Sequence, residues 1–438
     1  MSVELKERAA QAVELAQKVG AQDAWSTASK SRDVQFEYRD GNLEKVKDTT
    51  SQNLDIRIYA GGRYSSHSTT DLNPDRLQSF IAEAVAITGA LEPDEYRRIT
   101  PETLFTGRPT DDLDLVDANV QTLDRDQRVA WCRALDDVAH QHDRVISATS
   151  GVYDGTQKSA SASSNGFLGE QHSTYCWFGA SVTLRDQGDK RAEDGFYAGG
   201  AHVSDLPDPE AVGKTALDRT LSRLDSEKGP TVKASMVVDS RAAASLIGRL
   251  LGPANARSVQ QGRSFWAALM NEAAFGSKLT IVDDPLIARG LASRHYDNEG
   301  ISARALPIVE NGVVRNIYVD TYYGRKGDMT PTTGTPSNRV VQLGGHSLPE
   351  LLQKVGDGVY VTSWLGGNAD GTTGDFSLGL RGHMIENGQI GHPVGEMNVT
   401  GNLRDLFARL ELVGNDPYPY STTLAPSLVF ADVDFSGV

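Results

Sequence analysis

A polar hexapeptide, Asp225-Ser226-Glu227-Lys228-Gly229-Pro230, divides this chain into two parts with different hydrophobic periods. Ahead of it, apolar residues recur at helical spacing over residues 3–19, 74–90, 126–142 and 207–224. Short β-like runs lie between them, at 23–28, 34–38 and 54–60 and again at 145–152, 159–164 and 173–184, with Asp40-Gly41 and Gly61-Gly62 as turn pairs. Helix, strands, helix, twice over, predicts helices packed on a mostly antiparallel sheet. After the hexapeptide come a strand at 234–238, helical stretches at 241–251 and 254–270, and then glycine-rich β sequence. Asn311-Gly312 and Asn387-Gly388 each separate two apolar runs, the pattern of a tight hairpin whose central residues both need positive φ. With runs at 358–363 and 428–435 this second part reads as a β-barrel or sandwich. The fold class is α+β. A length of 438 residues exceeds what one core serves, so two domains are expected, 1–230 and 231–438.

Charge and cysteine usage narrow the function. The chain carries 58 acidic against 43 basic residues, a formal charge of -15, which repels phosphate backbones and anionic lipid surfaces. The scattered Arg241, Arg249, Arg257 and Arg263 are interleaved with apolar residues and read as helix surface, so no nucleic-acid partner is expected. No run approaches the roughly 18 apolar residues of a membrane span, and the charged Met1–Arg8 segment has no apolar signal core. Cys132 and Cys176 both sit in apolar, aromatic surroundings that suit buried free thiols. The expectation is a cytoplasmic protein with no membrane partner.

The usual catalytic signatures are missing. There is no phosphate loop, no dinucleotide fingerprint and no nucleophile elbow; Gly345-His346-Ser347 runs into Leu-Pro. His140 and His142 are two apart and point different ways from a helix end. His383 and His392 flank a hairpin and are the best pair for a metal, although unpaired surface histidines are commoner. Asp283-Asp284-Pro285 reads as a turn, and Asp297, Glu299, Asp370 and Asp375 lie in glycine-rich loops without an evident base or metal partner.

An ordered series of motifs then supplies a resemblance. Gln261-Gly262-Arg263-Ser264-Phe265, Leu279–Pro285, Gly290-Leu291-Ala292-Ser293-Arg294, Tyr296-Asp297-Asn298-Glu299-Gly300 and Tyr322-Tyr323-Gly324-Arg325-Lys326 come first. Thr373-Gly374-Asp375-Phe376-Ser377, Thr400-Gly401-Asn402-Leu403 and Val413-Gly414-Asn415-Asp416 follow in order. Together they resemble the TldD/PmbA family. The resemblance implies two kinds of subunit, one holding a catalytic zinc through a His-Glu-x-x-x-His helix and a cysteine after the VGND-like motif. Here Ile247, Gly248 and Gly252 fall at the helix positions, and Pro417-Tyr418-Pro419-Tyr420-Ser421-Thr422 follows Asp416 with no cysteine. The match is therefore to the PmbA (TldE) type.

That type implies no catalytic or metal-ligating residue and no cofactor in this chain, with zinc in a TldD-type partner and an unstructured peptide as substrate. The heterodimer would enclose a chamber, and the isolated chain would be able to pair with itself. Within the glycine-rich segment 364–375, Trp364, Asn368, Asp370, Thr373 and Asp375 are the expected chamber-lining residues, with a plain hairpin loop as the other reading. Two rivals stay open: a metal-independent hydrolase using loop carboxylates such as Asp370 and Asp375, and a homodimeric peptide-binding or maturation factor.

Overall fold

The computed structural model describes residues 2–437; Met1 and Val438, the outer ends of the two expected domains, lie outside the described residues. The first part of the chain forms α1 (Ser2–Lys18), β1 (Asp23–Arg39), β2 (Asn42–Ala60), β3 (Arg63–Thr69) and α2 (Pro74–Gly89). After a connecting segment and the short α3 (Ala118–Thr122), the series repeats as α4 (Arg125–Ala139), β4 (Val145–Ser163), β5 (Leu168–Arg185), β6 (Arg191–Gly200) and α5 (Pro209–Leu221). The strands make one six-stranded sheet in the order β3-β2-β1-β4-β5-β6. Two helix–three-strand–helix units therefore meet at the antiparallel β1–β4 seam, which runs from Trp25↔Ser163 to Arg39↔Thr149. The closing helices of both units start alike: Asn73 ahead of Pro74 and Asp208 ahead of Pro209 each cap the helix through a side-chain oxygen.

Because side chains alternate along a strand, every strand of this sheet serves two environments. On one face Ala28, Leu54, Ile56, Ala160 and Ala162 meet Ala9, Ala12 and Val13 of α1 and Leu77 and Ile81 of α2. Farther along, Phe36, Val152 and Phe178 meet Cys132 and Leu135 of α4 and Val212 of α5. Each large apolar side chain fully buried there contributes about 1.5–3 kcal/mol. The same face also holds one charged pair, Arg128 of α4 clamping Asp154 of β4 through two bonds of 2.6 and 2.7 Å. The pair is nearly sealed, with side-chain exposures of 4% and 3%.

The second part adds β7 (Glu227–Lys228), β8 (Val232–Val238), α6 (Ser240–Leu251), α7 (Ala256–Gln260), β9 (Ile281–Asp284), β10 (Leu306–Glu310), β11 (Val313–Val314), α8 (Thr321–Lys326), β12 (Asn338–Val341) and α9 (Leu348–Val355). It ends with β13 (Gly358–Ala369), β14 (Asp375–Glu386), β15 (Gln389–Asn402), α10 (Leu403–Ala408), β16 (Leu410–Val413), β17 (Thr423–Leu424) and β18 (Leu428–Gly437). A seven-stranded sheet ordered β16-β18-β8-β13-β14-β15-β7 and a five-stranded sheet ordered β11-β10-β9-β12-β17 share one apolar core with α6, a sandwich-like arrangement. Both Asn-Gly turns have positive φ at both central residues: 49° and 80° at Asn311 and Gly312, 51° and 76° at Asn387 and Gly388.

Two expectations fail in detail. The helix expected over 254–270 is broken, leaving only Ala256–Gln260 and a 3-10 turn at Phe265–Ala268. Gly262, at φ 66°, turns the chain out of the helical region between them. The runs expected at 23–28 and 34–38 are one strand of 17 residues, and those expected at 145–152 and 159–164 are one strand of 19.

The two parts meet on the sheet face away from the helices. Tyr296 packs edge-on to Phe167 at 5.0 Å between ring centroids, and Phe167 lies 4.5 Å from Trp25. Gln171 on β5 donates to the Tyr296 carbonyl at 3.0 Å. Arg325 of α8 donates to the carbonyls of Tyr96, Arg98 and Ile99, tying the segment after α2 to the second part.

Candidate functional site

Helix α6 is the place to test for zinc. Asp239 caps its start by accepting from the Arg241 N–H. Ala243, Leu246, Ile247 and Leu250 are all 0% exposed against Met236, Leu378 and Phe430 of the seven-stranded sheet. Ile247 is thus core, Gly252 is exposed at the helix end, and Gly248 has no side chain. None of the three offers a donor atom. Among the described residues, no group of three His, Cys, Asp or Glu side chains converges in a way that holds a metal. The residues present do not fit the zinc that the resemblance assigns to the other kind of subunit.

The candidate histidines are engaged separately. His383 on β14, 7% exposed, donates from Nε2 to the Ser222 carbonyl at 2.9 Å. His392, on β15, faces Glu386 at 2.9 Å. The carboxylates singled out from the sequence act mainly as backbone anchors. Asp283, at the end of β9 and not in a turn, accepts from Tyr318 Oη at 2.8 Å and from the Ser337 N–H and hydroxyl. Asp297 accepts from the amides of Glu299, Ile301 and Gly334, and Glu299 accepts from Thr321. Burial raises the Glu299 carboxyl above its ordinary range against those opposing bonds. Neither cysteine is a nucleophile: both are 0% exposed, and burial pushes the Cys132 thiol up to about 12 and the Cys176 thiol up as well.

Segment 364–375 is not one loop. Trp364 and Asn368 lie on β13, and Asp375 opens β14; Asp370 and Thr373 are the expected lining residues on the connection. Trp364 is half-buried and donates to the Ala242 carbonyl of α6 at 3.0 Å. Its strand bulges at Gly366 and Gly367, both at positive φ. Asp375 accepts from Asn402 at 2.9 Å and from Thr373 at 2.8 Å, and those two bonds hold its carboxyl below the ordinary range. Asp370 accepts from the Thr372 N–H at 2.7 Å, while Asn368 is exposed. The structure brings Thr373 and Asp375 together and leaves Trp364 facing the core.

The polar surface that sequence reasoning missed is the open face of the six-stranded sheet. Two rows cross β2, β1, β4 and β5 in register. One is Ser51, Ser31, Gln157, Ser173; the next is Asn53, Ser29, Ser159, Gln171. These hydroxyls and amides line a groove of about 320 Å³. Beyond them Tyr175 donates to Asp33 at 2.6 Å and Tyr153 to Glu37 at 2.9 Å. Their rings lie over Gly155 and Gly151, where a Cβ would strike the ring. Trp177 covers Gly199 in the same way. The groove is thus a hydrogen-bonding floor of hydroxyls and amides, with Lys30 and Lys158 also in its lining and aromatic rings beyond it. The signal in the sequence is faint: Ser, Gln and Asn at alternate positions of four separate strands.

Comparison with known proteins fits this architecture. Family models described as PmbA/TldA metallopeptidase domain 1, central domain and C-terminal domain match residues 28–88, 119–224 and 231–437. The chain is 29% identical to the metalloprotease PmbA of Escherichia coli O157:H7, over 99% of this chain and 96% of that one. A Bacteroides thetaiotaomicron protein, whose crystal structure was described as that of a candidate modulator of DNA gyrase, superimposes with a TM-score of 0.96 at 35% identity, covering 99% of both chains. TldE of Thermococcus kodakarensis shares the fold, with a TM-score of 0.87 at 16% identity over 98% of this chain and 100% of that one. With all three domain models matched in order over most of its length, the chain belongs to the TldD/PmbA family.

Proposed function

We propose that this chain is the metal-less, PmbA (TldE)-type member of a cytoplasmic heterodimeric zinc peptidase, and that it holds an unstructured peptide for a TldD-type partner to cleave. The observation that carries the reading is the apolar interior at α6. Ile247 is sealed in a packed core at the position where the zinc-bearing kind of subunit would carry its first histidine. The zinc of the partner would supply the activated water. The work left to this chain is binding and orientation, which needs polar groups without a reaction of their own.

The open sheet face supports that role. Ser29, Ser31, Ser159 and Gln157 offer donors and acceptors to a peptide backbone without selecting by charge. The rings of Tyr153 and Tyr175 add apolar contact. A floor made mostly of hydroxyls and amides suits substrates of varied sequence, because backbone hydrogen bonds carry the affinity.

The test mixes this chain with a His-Glu-x-x-x-His relative and follows cleavage of an unstructured peptide, with and without chelator. This chain alone is inactive and holds no stoichiometric zinc by elemental analysis, and the mixture cleaves until chelator is added. Equal rates from the zinc subunit alone and from the mixture would sink the partnership. Cleavage by this chain alone in chelator would sink the whole reading.

A further inference from the structure

A second cavity, of about 510 Å³, opens where β6 meets β13, β14 and β15. Lys190, Arg191, Arg223, Lys228 and Arg381 line it. Of its four carboxylates, Asp186 accepts from the backbone amides of Gln187 and Asp225, and Glu396 faces Lys228 of the same lining at 3.8 Å. Glu193 and Glu227 are exposed at its margin. Behind the wall, Asp194 is shared by two guanidiniums, Arg223 at 2.6 Å and Arg219 at 3.4 Å. Arg223 is further fixed by the Glu193 carbonyl and Ser363 Oγ, both at 3.1 Å. Arg381 reaches that same carbonyl at 3.4 Å, and among the described residues neither it nor Arg191 forms an ion pair.

Five lining cations against four carboxylates leave a small excess of positive charge in a partly enclosed place, with Arg191 and Arg381 outside any ion pair among the described residues, on a chain whose formal charge is -15. The Arg223 guanidinium carries the mark of it. Burial first, and then repulsion from Arg381 and Arg219, pull its pKa down to about 10 against the attraction of Asp194. One buried polar atom close to the lining, His383 Nδ1, has no hydrogen-bond partner. His383, 93% shielded at 7% exposure, already spends its other nitrogen on Ser222, one residue before Arg223. A planar guanidinium fork fits the two oxygens of a carboxylate or phosphate.

We propose that this cleft is an oxyanion-binding site, with Arg381 and Arg191 as the grasping groups and Arg223 as a fixed cation at its back. Charge and geometry define this site independently of any peptidase role. Two sources carry such a group: free inorganic phosphate, and the terminal carboxylate of a peptide. Calorimetry on the full chain at low salt uses inorganic phosphate, an acetylated tri-alanine with a free carboxylate, and its C-terminal amide. Heat with phosphate alone assigns the site to the free ion. Heat with the free-carboxylate peptide and not with its amide assigns it to chain ends.

In either case Arg381→Met and Arg191→Gln, singly and together, weaken binding about tenfold or more, as expected for one lost charge-assisted hydrogen bond. Arg404→Gln, exposed on α10, leaves it unchanged. Arg191 is exposed, so its single variant keeps the test alive even if Arg381→Met unfolds. No heat with any probe at millimolar concentration, or heat indifferent to both variants, overturns the proposal.

Discussion

The two faces of the six-stranded sheet are made by the same strands, yet they solve different problems. Ala28 is buried against helix while Ser29, next along β1, lines an uncovered groove; Ala160 and Ser159 on β4 do the same. On the helix side, the fully buried charges are paired, while a few small hydroxyls such as Ser26 and Ser150 are buried without a partner. Arg128 is held by both Asp154 oxygens and by the Leu123 carbonyl, because an unpaired charge there would cost more than the whole pair contributes. On the open side, Ser, Gln and Asn are retained that no packing argument requires. Burial explains the first face; solvent is enough to keep the second polar, and the proposed peptide would give it a use.

Asp154→Ala gives the sharpest test, since it strands the Arg128 guanidinium in a nearly sealed site. It should cost about 3–5 kcal/mol in urea denaturation; a loss under about 1 kcal/mol would mean the closed face tolerates free charge. Smaller losses are expected where glycine makes room. Gly199→Ala drives a Cβ into the Trp177 ring and should cost about 1–3 kcal/mol with a change in tryptophan emission. Gly312→Val and Gly388→Val combine positive φ with a collision against the Phe275 carbonyl and Gln353, and should each cost at least about 1–3 kcal/mol. Unchanged melting temperatures in both would contradict the type I′ turns.

A pH effect marks the rim of the closed face. His140, at the end of α4, faces the Asp136 carbonyl at 3.0 Å through Nδ1 and Asp40 at 3.2 Å through Nε2. Only the imidazolium donates to both. Burial lowers its pKa, but Asp136 and Asp40 outweigh that and leave it raised. Its contribution is therefore full below the ordinary imidazole value of about 6.5 and is lost as pH rises through the elevated one. His140→Ala should flatten that decline, read as urea midpoints across the range. The smallest stability change belongs to the open face. Gln157→Ala with Ser159→Ala should stay within about 0.5 kcal/mol while slowing cleavage of peptide in the two-subunit assay. A large stability loss there would erase the distinction between the faces.

Legibility followed the same divide. The closing helix at 74–90 was readable to within a residue, as Pro74–Gly89, because Asn73-Pro74 announces its start locally. The Asn-Gly hairpins were readable because two residues suffice to demand positive φ. Strand β1 was split in two by Ser29–Asp33, where Lys30 and Arg32 are exposed even on the helix side and the apolar alternation disappears. Segment 364–375 drew attention through its glycines, which in part serve a bulge. The polar groove leaves only alternate Ser, Gln and Asn in each strand's sequence, since its rows exist only once four strands are in register.

The β1–β4 seam bears on how the molecule is made. Each helix–three-strand–helix unit pairs its own strands through short connections, but the seam joins residues such as Thr27 and Ser161, 134 positions apart. Closing that loop costs chain entropy before any seam contact is gained, so the units should form early and their joining should limit the rate. Until it closes, β1 and β4 each present a long unpaired edge, and the nascent chain is most exposed to wrong pairing in that interval.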